Sequence, residues 1–409
     1  MLDSDSGDEL PVGWEERATV DGNIYFVNHT TKSTQWIHPR TGKKKYVRKE
    51  LPFGWKKIVK PNGEIVFQHE SDEMTTNSDP RLAFAQEYGD NPSEVRYKFD
   101  ASSTTDEVLH GLDLSNKIAI VTGANTGIGL ETATSLAMHD CHVIMACRSI
   151  SRAEEAAEKI RLKRRNAHCD LMKLNLSSLK SVKEFAETFK SKYNKLDILI
   201  LNAGVFSPPY WLTEDGYEST FQICHLSHFY LTNLLEDKLV LSDDPRVVIL
   251  ASESHRFSLL NENTLSELAL SPPADQYSGY IAYNNAKLCN LLFAHELHMR
   301  WYCKGVTVFA VHPGNLVYSD LSRHWWLYRL LFFIVRPFTK SLQQAASTSI
   351  FCATSPYLKQ KPVLYFNNCF PCTPSQKAMD ANMSRKLWKL SEKMTNEALL
   401  RLNLSAFFS

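Results

Sequence analysis

The sequence predicts an α/β protein in which a doubly wound parallel sheet follows two small three-stranded antiparallel modules. Three observations lead to this fold class. Apolar strands alternate with helical segments from Lys117 onward, which is typical of a parallel sheet covered by helices. The first of these strands runs into a glycine-rich turn that opens a helix. Near the N-terminus, two short aromatic-rich segments repeat each other at an offset of 41 residues, as in Leu10 and Leu51.

Length, charge and cysteine content limit the function classes. A chain of 409 residues with 44% hydrophobic residues suits about two or three globular domains. The net charge of +1 gives no strong positive potential, so we expect no direct binding of nucleic acid. The nine cysteines come with no second close pair and no histidine cluster, which predicts reduced thiols and no metal site. Reduced thiols, together with an acidic N-terminus that lacks the apolar core of a signal peptide, predict a cytoplasmic protein.

The N-terminal repeat predicts two small sheets. Each copy has a turn dipeptide, Asp21-Gly22 or Asn62-Gly63, between short aromatic and β-branched runs, which is typical of antiparallel hairpins. We expect each small core to contain the first tryptophan, a phenylalanine and the closing proline: Trp14, Phe26 and Pro39 in the first copy, and Trp55, Phe67 and Pro80 in the second.

The first copy, residues 8–41, resembles a WW domain, because a first Trp, an aromatic pair followed by Asn-His, a second Trp and a closing Pro occur in order. The resemblance implies that Tyr25 and Trp36 form a slot for proline rings and that the copy recruits PPxY-containing proteins. Flat aromatic faces suit a polyproline II ligand, which is already extended. The other peptide-binding positions that the resemblance implies are Val27, His29, Lys32 and Thr34.

The second copy, residues 49–82, departs from the WW pattern in its binding positions. Val66 and Asn77 stand where the two slot aromatics belong, and Gln68, His69 and Glu70 replace the Val-Asn-His run. We therefore expect this copy to bind no PPxY peptide and to fold only with support from its neighbour.

Two polar stretches adjoin the repeat. The basic run 43–49 is interpreted as a solvated linker or, alternatively, as a nuclear-import signal, and mitochondrial association stays open. Residues 83–114 are rich in Ser, Thr and Asp, and we interpret them as the linker to the large domain.

The glycine-rich turn, Thr122 to Gly129, predicts a Rossmann-type dinucleotide site. Gly123 allows a tight turn, Gly127 lets the backbone approach a pyrophosphate, and Gly129 lets the helix pack on the strand. The second strand ends at Arg148 without an acidic residue, which favours NADP(H) over NAD(H), because a guanidinium pairs with the 2′-phosphate.

A second constellation predicts redox catalysis. Tyr283 and Lys287 are spaced as YxxxK, so both side chains lie on one helical face. We expect the lysine to lower the pKa of the phenol toward neutral pH, which makes Tyr283 a general acid/base. Ser252 follows an apolar strand and can polarise a carbonyl for hydride attack.

These features, spread over residues 115–409, resemble the short-chain dehydrogenase/reductase family and its retinol dehydrogenase-like branch. The resemblance implies an oxidoreductase that interconverts an alcohol and a carbonyl on an apolar, steroid- or retinoid-like substrate. It also implies that the apolar stretch Trp325–Val335 lines the substrate pocket; the stretch is too short to span a bilayer, and peripheral membrane contact is the alternative. The expected cofactor-binding residues are Thr122, Gly123, Asn125, Gly127, Ile128, Gly129, Arg148, Asn175, Asn202, Ala203, Gly204, Tyr283, Lys287, Pro313 and Gly314.

Two positions depart from the family. Cys224 stands where the family has the asparagine of its catalytic tetrad, and a thiol is a weaker donor and acceptor than an amide. The water chain that serves Lys287 would then be poorly held, and activity reduced or redirected. Asn175 stands where the family has an aspartate that contacts the adenine, and its amide can still accept a hydrogen bond. Because of Cys224, the alternative function is an adaptor with a weakly active or inactive reductase domain, which regulates signalling, apoptosis and transcription through WW-mediated binding.

Overall fold

The computed structural model describes residues 10–47, 51, 55–69, 75–84, 86–87, 99–314, 340–359, 361 and 364–407. The described residues form two compact units. The first contains those up to residue 87 together with His110–Asp113, and the second contains residues 99–109 and those from Leu114 onward. The apolar stretch Trp325–Val335 lies outside the described residues.

In the first unit, the first copy of the repeat folds as a three-stranded antiparallel sheet in the order β1-β2-β3. Its strands are β1 (Trp14–Ala18), β2 (Ile24–Asn28) and β3 (Ser33–Gln35). Side chains alternate along β2, so Ile24 and Phe26 enter the core while Tyr25 and Val27 lie on the opposite face. The core contains Ile24, Phe26 and Val47, with Trp14 packed against it. The prediction of Phe26 and Trp14 is confirmed, whereas Pro39 is only partly buried.

The second copy forms a similar sheet in the order β5-β6-β7. Its strands are β5 (Trp55–Val59), β6 (Ile65–His69) and β7 (Thr75–Thr76). Phe67 is buried as predicted, and the ring of Trp55 packs on that of His69 at a centroid distance of 5.1 Å. Leu82, the last residue of this copy, packs against the core of the first copy.

The polar stretches around the second copy are partly structured. Strands β4 (Lys45–Tyr46) and β8 (Gln86–Glu87) pair antiparallel. Val47 is only 4% exposed, and its N–H donates to the carbonyl of Gly22 at 2.7 Å. The solvated-linker interpretation of 43–49 is therefore wrong for residues 45–47, which strand pairing and core packing hold, whereas Lys43 and Lys44 are exposed. The nuclear-import interpretation stays a prediction.

The interpretation of residues 83–114 as a polar linker also needs correction. Besides β8, this stretch contains helix α1 (Thr105–Leu109), whose Val108 and Leu109 are buried. Those two apolar side chains attach the helix to the second unit, so the stretch is not a free connection.

The second unit is built on one sheet. Its strands are β9 (Ile118–Thr122), β10 (His142–Cys147), β11 (Cys169–Lys173), β12 (Ile198–Leu201), β13 (Arg246–Leu250), β14 (Thr307–His312), β15 (Tyr365–Asn367) and β16 (Phe370–Pro371). The order is β11-β10-β9-β12-β13-β14-β15-β16, and neighbours pair parallel except β15 with β16. The central strands are buried and mostly apolar, as expected when helices cover both faces. The predicted doubly wound sheet is confirmed.

Helices connect these strands. They are α2 (Gly127–Met138), α3 (Ile150–Lys163), α4 (Leu179–Lys192), α5 (Ser219–Phe221), α6 (Ser227–Leu234), α7 (Glu236–Leu239), α8 (Glu267–Leu270), α9 (Gly279–Trp301), α10 (Leu342–Thr354) and α11 (Ala381–Phe407). A π-helical turn, Gln222–Leu226, joins α5 to α6. Helix α9 is buried along most of its length, so its polar side chains lie inside the domain. Among the described residues, no helix has the length and apolarity needed to cross a membrane.

The sheet order places the site. Connections lead from β9 outward to β10 and β11 on one side, and from β12 outward to β13 and β14 on the other. The loops after β9 and β12 therefore diverge and leave a crevice at the carboxyl ends of these strands, where such folds bind dinucleotides.

Candidate active site

The turn after β9 has the geometry that its glycines predict. Gly123 and Gly127 have φ values of +68° and +57°, in the left-handed region that favours glycine. A Cβ at Gly129 would lie 2.4 Å from both the carbonyl oxygen of Gly123 and the Nδ2 of Asn202. Only a residue without a side chain lets α2 approach the strand this closely, so the predicted packing role of Gly129 agrees with the structure.

Thr122 joins this turn to the one after β12. Its hydroxyl oxygen accepts the N–H of Asn202 at 2.9 Å and that of Ala203 at 3.0 Å. The side-chain amide of Asn202 donates to the carbonyl oxygen of Thr122 at 2.8 Å. The two loops that flank the crevice are thus held together by Thr122 itself, which is buried behind them.

His228 extends this network, and sequence reasoning missed it. Its Nε2 lies 3.0 Å from the Thr122 hydroxyl, and its Nδ1 lies 3.3 Å from the carbonyl oxygen of Cys224. A carbonyl only accepts, so Nδ1 carries the proton and Nε2 accepts from the hydroxyl. Burial lowers the pKa of His228 to about 3, which keeps the ring neutral. A histidine one helical turn after Cys224 was the available signal, but its partner lies 106 residues away.

The predicted catalytic side chains converge on one point. Helix α9 presents Tyr283 and Lys287 one turn apart, with the lysine Nζ 5.5 Å from the centroid of the tyrosine ring. Lys287 donates to the carbonyl oxygen of Leu250, at the end of β13, at 2.9 Å. Ser252, two residues further on, lies close enough to Tyr283 to lower the pKa of its hydroxyl. The structure therefore brings Tyr283, Lys287 and Ser252 together.

The pKa of Tyr283 differs from the expectation. Burial raises the pKa of its hydroxyl, Cys224 adds to this rise, and the hydrogen bond with Ser252 opposes it. Burial also lowers the pKa of Lys287. When only the groups of the protein act on Tyr283, the prediction that Lys287 lowers the pKa of its hydroxyl toward neutral pH is wrong. Both side chains are desolvated, and the ammonium of Lys287 donates to the carbonyl oxygen of Leu250 instead.

Cys224 lies in the π-helical turn, and its side chain is buried. The N–H of Val205 donates to its sulfur at 3.4 Å, and the thiol lies 3.6 Å from the carbonyl oxygen of the same residue. Burial raises the pKa of Cys224, while Lys287 opposes that rise. The side chain is therefore a neutral thiol that contacts the loop after β12.

One cleft collects most of the predicted cofactor positions. Its lining includes Gly123, Asn125, Gly127, Ile128, Gly129, Arg148, Asn175, Asn202, Ala203, Gly204, Tyr283, Lys287 and Pro313. Thr122 lies behind this lining, and Gly314 and Ser252 are adjacent in sequence to Pro313 and Ala251, which contribute to it. Sequence reasoning missed twelve further lining residues: Thr126, Ala146, Ser149, Arg152, Leu174, Leu176, Ser177, Val205, Phe206, Ile223, Leu250 and Ala251.

The cleft has a polar and an apolar end. Arg148 and Arg152 bring two guanidinium groups to the end near β10, next to Asn175. The Asn175 Oδ1 accepts the Ser177 hydroxyl at 2.8 Å. At the opposite end, the ring of Phe206 meets the ring of Tyr283 edge to face, with 4.8 Å between centroids. The first end therefore carries positive charge, and the second offers apolar surface.

The first sheet presents a separate groove. The rings of Tyr25 and Trp36 are 5.8 Å apart at 63°, and Trp36 is 54% exposed. Val27 pairs with Thr34 across β2 and β3, on the face opposite to the core. Of the remaining predicted positions, the Nε2 of His29 lies 2.7 Å from Glu15, and Lys32 has a φ of +55°.

The second sheet lacks this groove. Val66 is 6% exposed, so the position that holds Tyr25 in the first copy holds a buried aliphatic side chain. Asn77 is exposed, and its amide lies 3.4 Å from Glu64. Neither position offers an aromatic face to a proline ring.

Comparisons with known proteins agree with this architecture. A family model described as "short chain dehydrogenase" matches residues 117–261, and one described as "WW domain" matches residues 10–39. The WW domain-containing oxidoreductase of Drosophila melanogaster is 53% identical over 401 residues, which span 97% of this chain and 98% of that protein. The chain belongs to the WW domain-containing oxidoreductase family. The Homo sapiens member is 51% identical over 401 residues, covering 97% of this chain and 96% of its own.

Relatives of the second unit alone are also found. Retinol dehydrogenase 12 of Mus musculus is 40% identical over 280 residues, which cover 68% of this chain and 86% of that protein. A solved structure of an uncharacterised protein from Mycobacterium paratuberculosis has a TM-score of 0.56 and 30% identity, covering 72% of this chain and 98% of its own. Like other WW domain-containing oxidoreductases, the chain thus joins a short-chain dehydrogenase/reductase fold, which supports a nicotinamide cofactor, to a WW domain, a module for proline-rich peptides.

Proposed function

We propose that this chain is an NADP(H)-dependent oxidoreductase that interconverts an alcohol and a carbonyl on an apolar, steroid- or retinoid-like substrate, and that its first WW domain recruits PPxY-containing proteins. The convergence of Tyr283, Lys287 and Ser252 beside the cleft carries the enzymatic part. The exposed pair Tyr25 and Trp36 carries the binding part.

The residues of the cleft fit a dinucleotide. The glycine turn opens α2, whose first backbone N–H groups suit a pyrophosphate, and Gly123, Gly127 and Gly129 remove side chains from its path. The Asn202–Gly204 turn lines the same cleft further toward Tyr283. When bound, the nicotinamide supplies or accepts the hydride.

The protein side chains then handle the substrate oxygen and its proton. Because burial raises its pKa, the hydroxyl of Tyr283 is protonated at neutral pH and can donate to a carbonyl oxygen as that oxygen gains charge. Ser252, which lies beside Tyr283, can donate a second hydrogen bond to the same oxygen. Lys287, close to the tyrosine ring, stabilises the phenolate that remains after proton transfer.

The substrate class follows from the walls beside Tyr283. Phe206 and Ile223 line this part of the cleft and offer apolar surface. The name of retinol dehydrogenase 12, a relative across the second unit, adds support for a retinoid-like alcohol or aldehyde.

The enzymatic proposal is tested with Tyr283→Phe and a panel of steroids and retinoids. We expect activity to fall at least about 100-fold, because the acid/base group is lost, while NADPH binding remains. Tyr280→Phe is the matched control, since Tyr280 is exposed on the same helix. Failure of the wild-type protein to convert any member of the panel with NADPH bound would contradict the proposal.

The second candidate function is an adaptor whose reductase domain has little activity, and the position of Cys224 favours it. Cell rescue separates the two candidates. If the adaptor function dominates, the Tyr283→Phe variant restores the phenotype of cells that lack this protein, whereas the Tyr25→Arg variant does not. Rescue by Tyr25→Arg but not by Tyr283→Phe favours the enzyme.

A further inference from the structure

His255 holds two backbone groups that are distant in the sequence. Its ring is fully buried, with Nδ1 2.6 Å from the carbonyl oxygen of Ser252 and Nε2 3.0 Å from the backbone nitrogen of Ser375. A backbone N–H only donates, so Nε2 is the acceptor and Nδ1 carries the proton that is donated to Ser252. The ring therefore acts in one neutral tautomer. Burial lowers the pKa of His255, which favours this neutral form.

The surrounding contacts fix the same two segments to each other. Arg256 donates to the carbonyl oxygen of Thr373 at 2.8 Å, and Lys377 donates to that of Ser258 at 3.0 Å. These bonds flank the one made by His255, so the turn Glu253–Phe257 is tied to the segment Thr373–Lys377 on both sides. Of the three side chains that make these bonds, that of His255 is the one that also bonds Ser252.

Ser252 depends on its backbone for the direction of its hydroxyl. The residue is extended, with φ −161° and ψ 152°, and its Oγ accepts the N–H of Ser254 at 3.3 Å. The same side chain lies close enough to Tyr283 to lower the pKa of the tyrosine hydroxyl. Fixing its carbonyl oxygen fixes the adjoining peptide plane, and thereby the direction of the Cα–Cβ bond. A displacement of about 1 Å in a reacting group can reduce a rate about 100-fold.

We propose that His255 is a positioning residue that uses the backbone N–H of Ser375 as an anchor to hold Ser252 in its catalytic orientation. This inference rests on the proposed oxidoreductase function. His255 touches neither the substrate nor the cofactor in this proposal, and it acts through the serine.

Two conservative variants separate the two bonds of the ring. The amide of asparagine reaches the position of Nδ1 and can donate to Ser252, whereas that of glutamine reaches the position of Nε2 and can bond only Ser375. We expect His255→Phe and His255→Gln to lower kcat about tenfold, with the KM for NADPH unchanged within twofold. His255→Asn, which can still donate to Ser252 but loses the anchor at Ser375, should lower kcat by a similar factor.

His139→Phe is the control for loss of a partly buried histidine. That residue contacts the carbonyl oxygen of Ser135 at 3.1 Å, at the end of α2, and should keep wild-type kcat. A purely structural role of His255 predicts instead that kcat follows thermal stability in all variants. Wild-type kcat in His255→Phe, or in either the Asn or the Gln variant, would overturn the proposal.

Hydrogen exchange keeps the proposal testable if the enzyme assignment fails. The amide of Ser254, which bonds to the Ser252 hydroxyl, should exchange at least about tenfold faster in His255→Phe than in His139→Phe. An inactive wild-type protein that shows this difference contradicts the oxidoreductase proposal but supports the positioning of Ser252. An unchanged exchange rate contradicts the positioning itself.

Discussion

Cys224 is joined to both backbone groups of Val205: the N–H of Val205 donates to the sulfur at 3.4 Å, and the thiol donates to the carbonyl oxygen at 3.6 Å. The same thiol lies near the catalytic lysine, since a Cβ at Gly204 would be 3.5 Å from Sγ and 3.9 Å from the Nζ of Lys287. Cys224 thus bonds the loop after β12 and lies near Lys287 of helix α9.

This link predicts how Cys224 limits catalysis. Replacing it with asparagine supplies a stronger donor and acceptor, so Cys224→Asn should raise kcat about threefold to tenfold. Cys224→Ala removes both bonds and should lower it by a similar factor. Steady-state kinetics with NADPH measures both effects, and Cys289→Ala, at another buried cysteine, serves as control. Unchanged kcat in all three variants would contradict a role for this thiol.

Two glycines of the cleft should differ sharply in their tolerance of alanine. A Cβ at Gly129 meets the backbone of Gly123 at 2.4 Å, whereas the nearest atom to one at Gly204 is the sulfur of Cys224 at 3.5 Å. Gly129→Ala should therefore lower the free energy of unfolding by more than about 2 kcal/mol, and Gly204→Ala by less than about 1 kcal/mol. Urea denaturation measures both. Equal losses would mean that α2 does not pack this closely on β9.

The two guanidinium groups near β10 predict cofactor preference. Arg148→Ala and Arg152→Ala should each raise the KM for NADPH about tenfold to 100-fold, because a charge-assisted bond to the 2′-phosphate is lost, and leave that for NADH unchanged. Arg161→Ala is the control, since its side chain bonds the carbonyl oxygen of Cys169. A parallel rise for NADPH and NADH would refute the assignment of these residues to the phosphate.

Buried histidines predict a loss of stability in acid. The pKa of His228 is lowered to about 3 by burial, so below pH 6.5 the unfolded chain binds a proton that the folded chain does not. The stability contribution is complete above pH 6.5 and falls as the pH drops toward 3, by up to about 1.4 kcal/mol per pH unit. His228→Gln should reduce this slope, measured by urea denaturation between pH 6.5 and 4.5. His168→Gln, at an exposed histidine, should keep it. Identical slopes in wild type and His228→Gln would show that His228 is not buried neutral.

The two WW copies should differ in peptide binding. In titrations of the full chain with a PPxY peptide, Tyr25→Ala and Trp36→Ala should each weaken binding at least about 30-fold, because the aromatic slot loses a wall. Tyr46→Phe, outside the slot on β4, should bind as wild type. Micromolar binding that survives the loss of both Tyr25 and Trp36 would assign a ligand site to the second copy.

The sequence predicted those features that depend on local spacing. The turn from Gly123 to Gly129 and the YxxxK pair are each set by residues a few positions apart, and the fold preserves their geometry. Features that depend on distant partners were missed. The sequence around Val47 was interpreted as solvated because the pairing of β4 with β8 depends on residues about 40 positions away. The roles of His228 and His255 require partners 106 and 120 residues away. The direction of the pKa shift of Tyr283 was predicted wrongly, because a sequence motif does not show burial. Burial is the largest influence on this pKa.

The distance along the chain between His255 and Ser375 also sets the order in which this enzyme can mature. At ribosomal speeds, roughly 6 to 24 s separate the synthesis of two positions 120 residues apart. Once Lys287 has been made, the nascent chain contains every proposed catalytic side chain, but for the rest of that interval the serine loop lacks its proposed anchor. A polypeptide that stops before Thr373 would remain in this immature condition, with a complete glycine turn and YxxxK helix beside an unsupported serine.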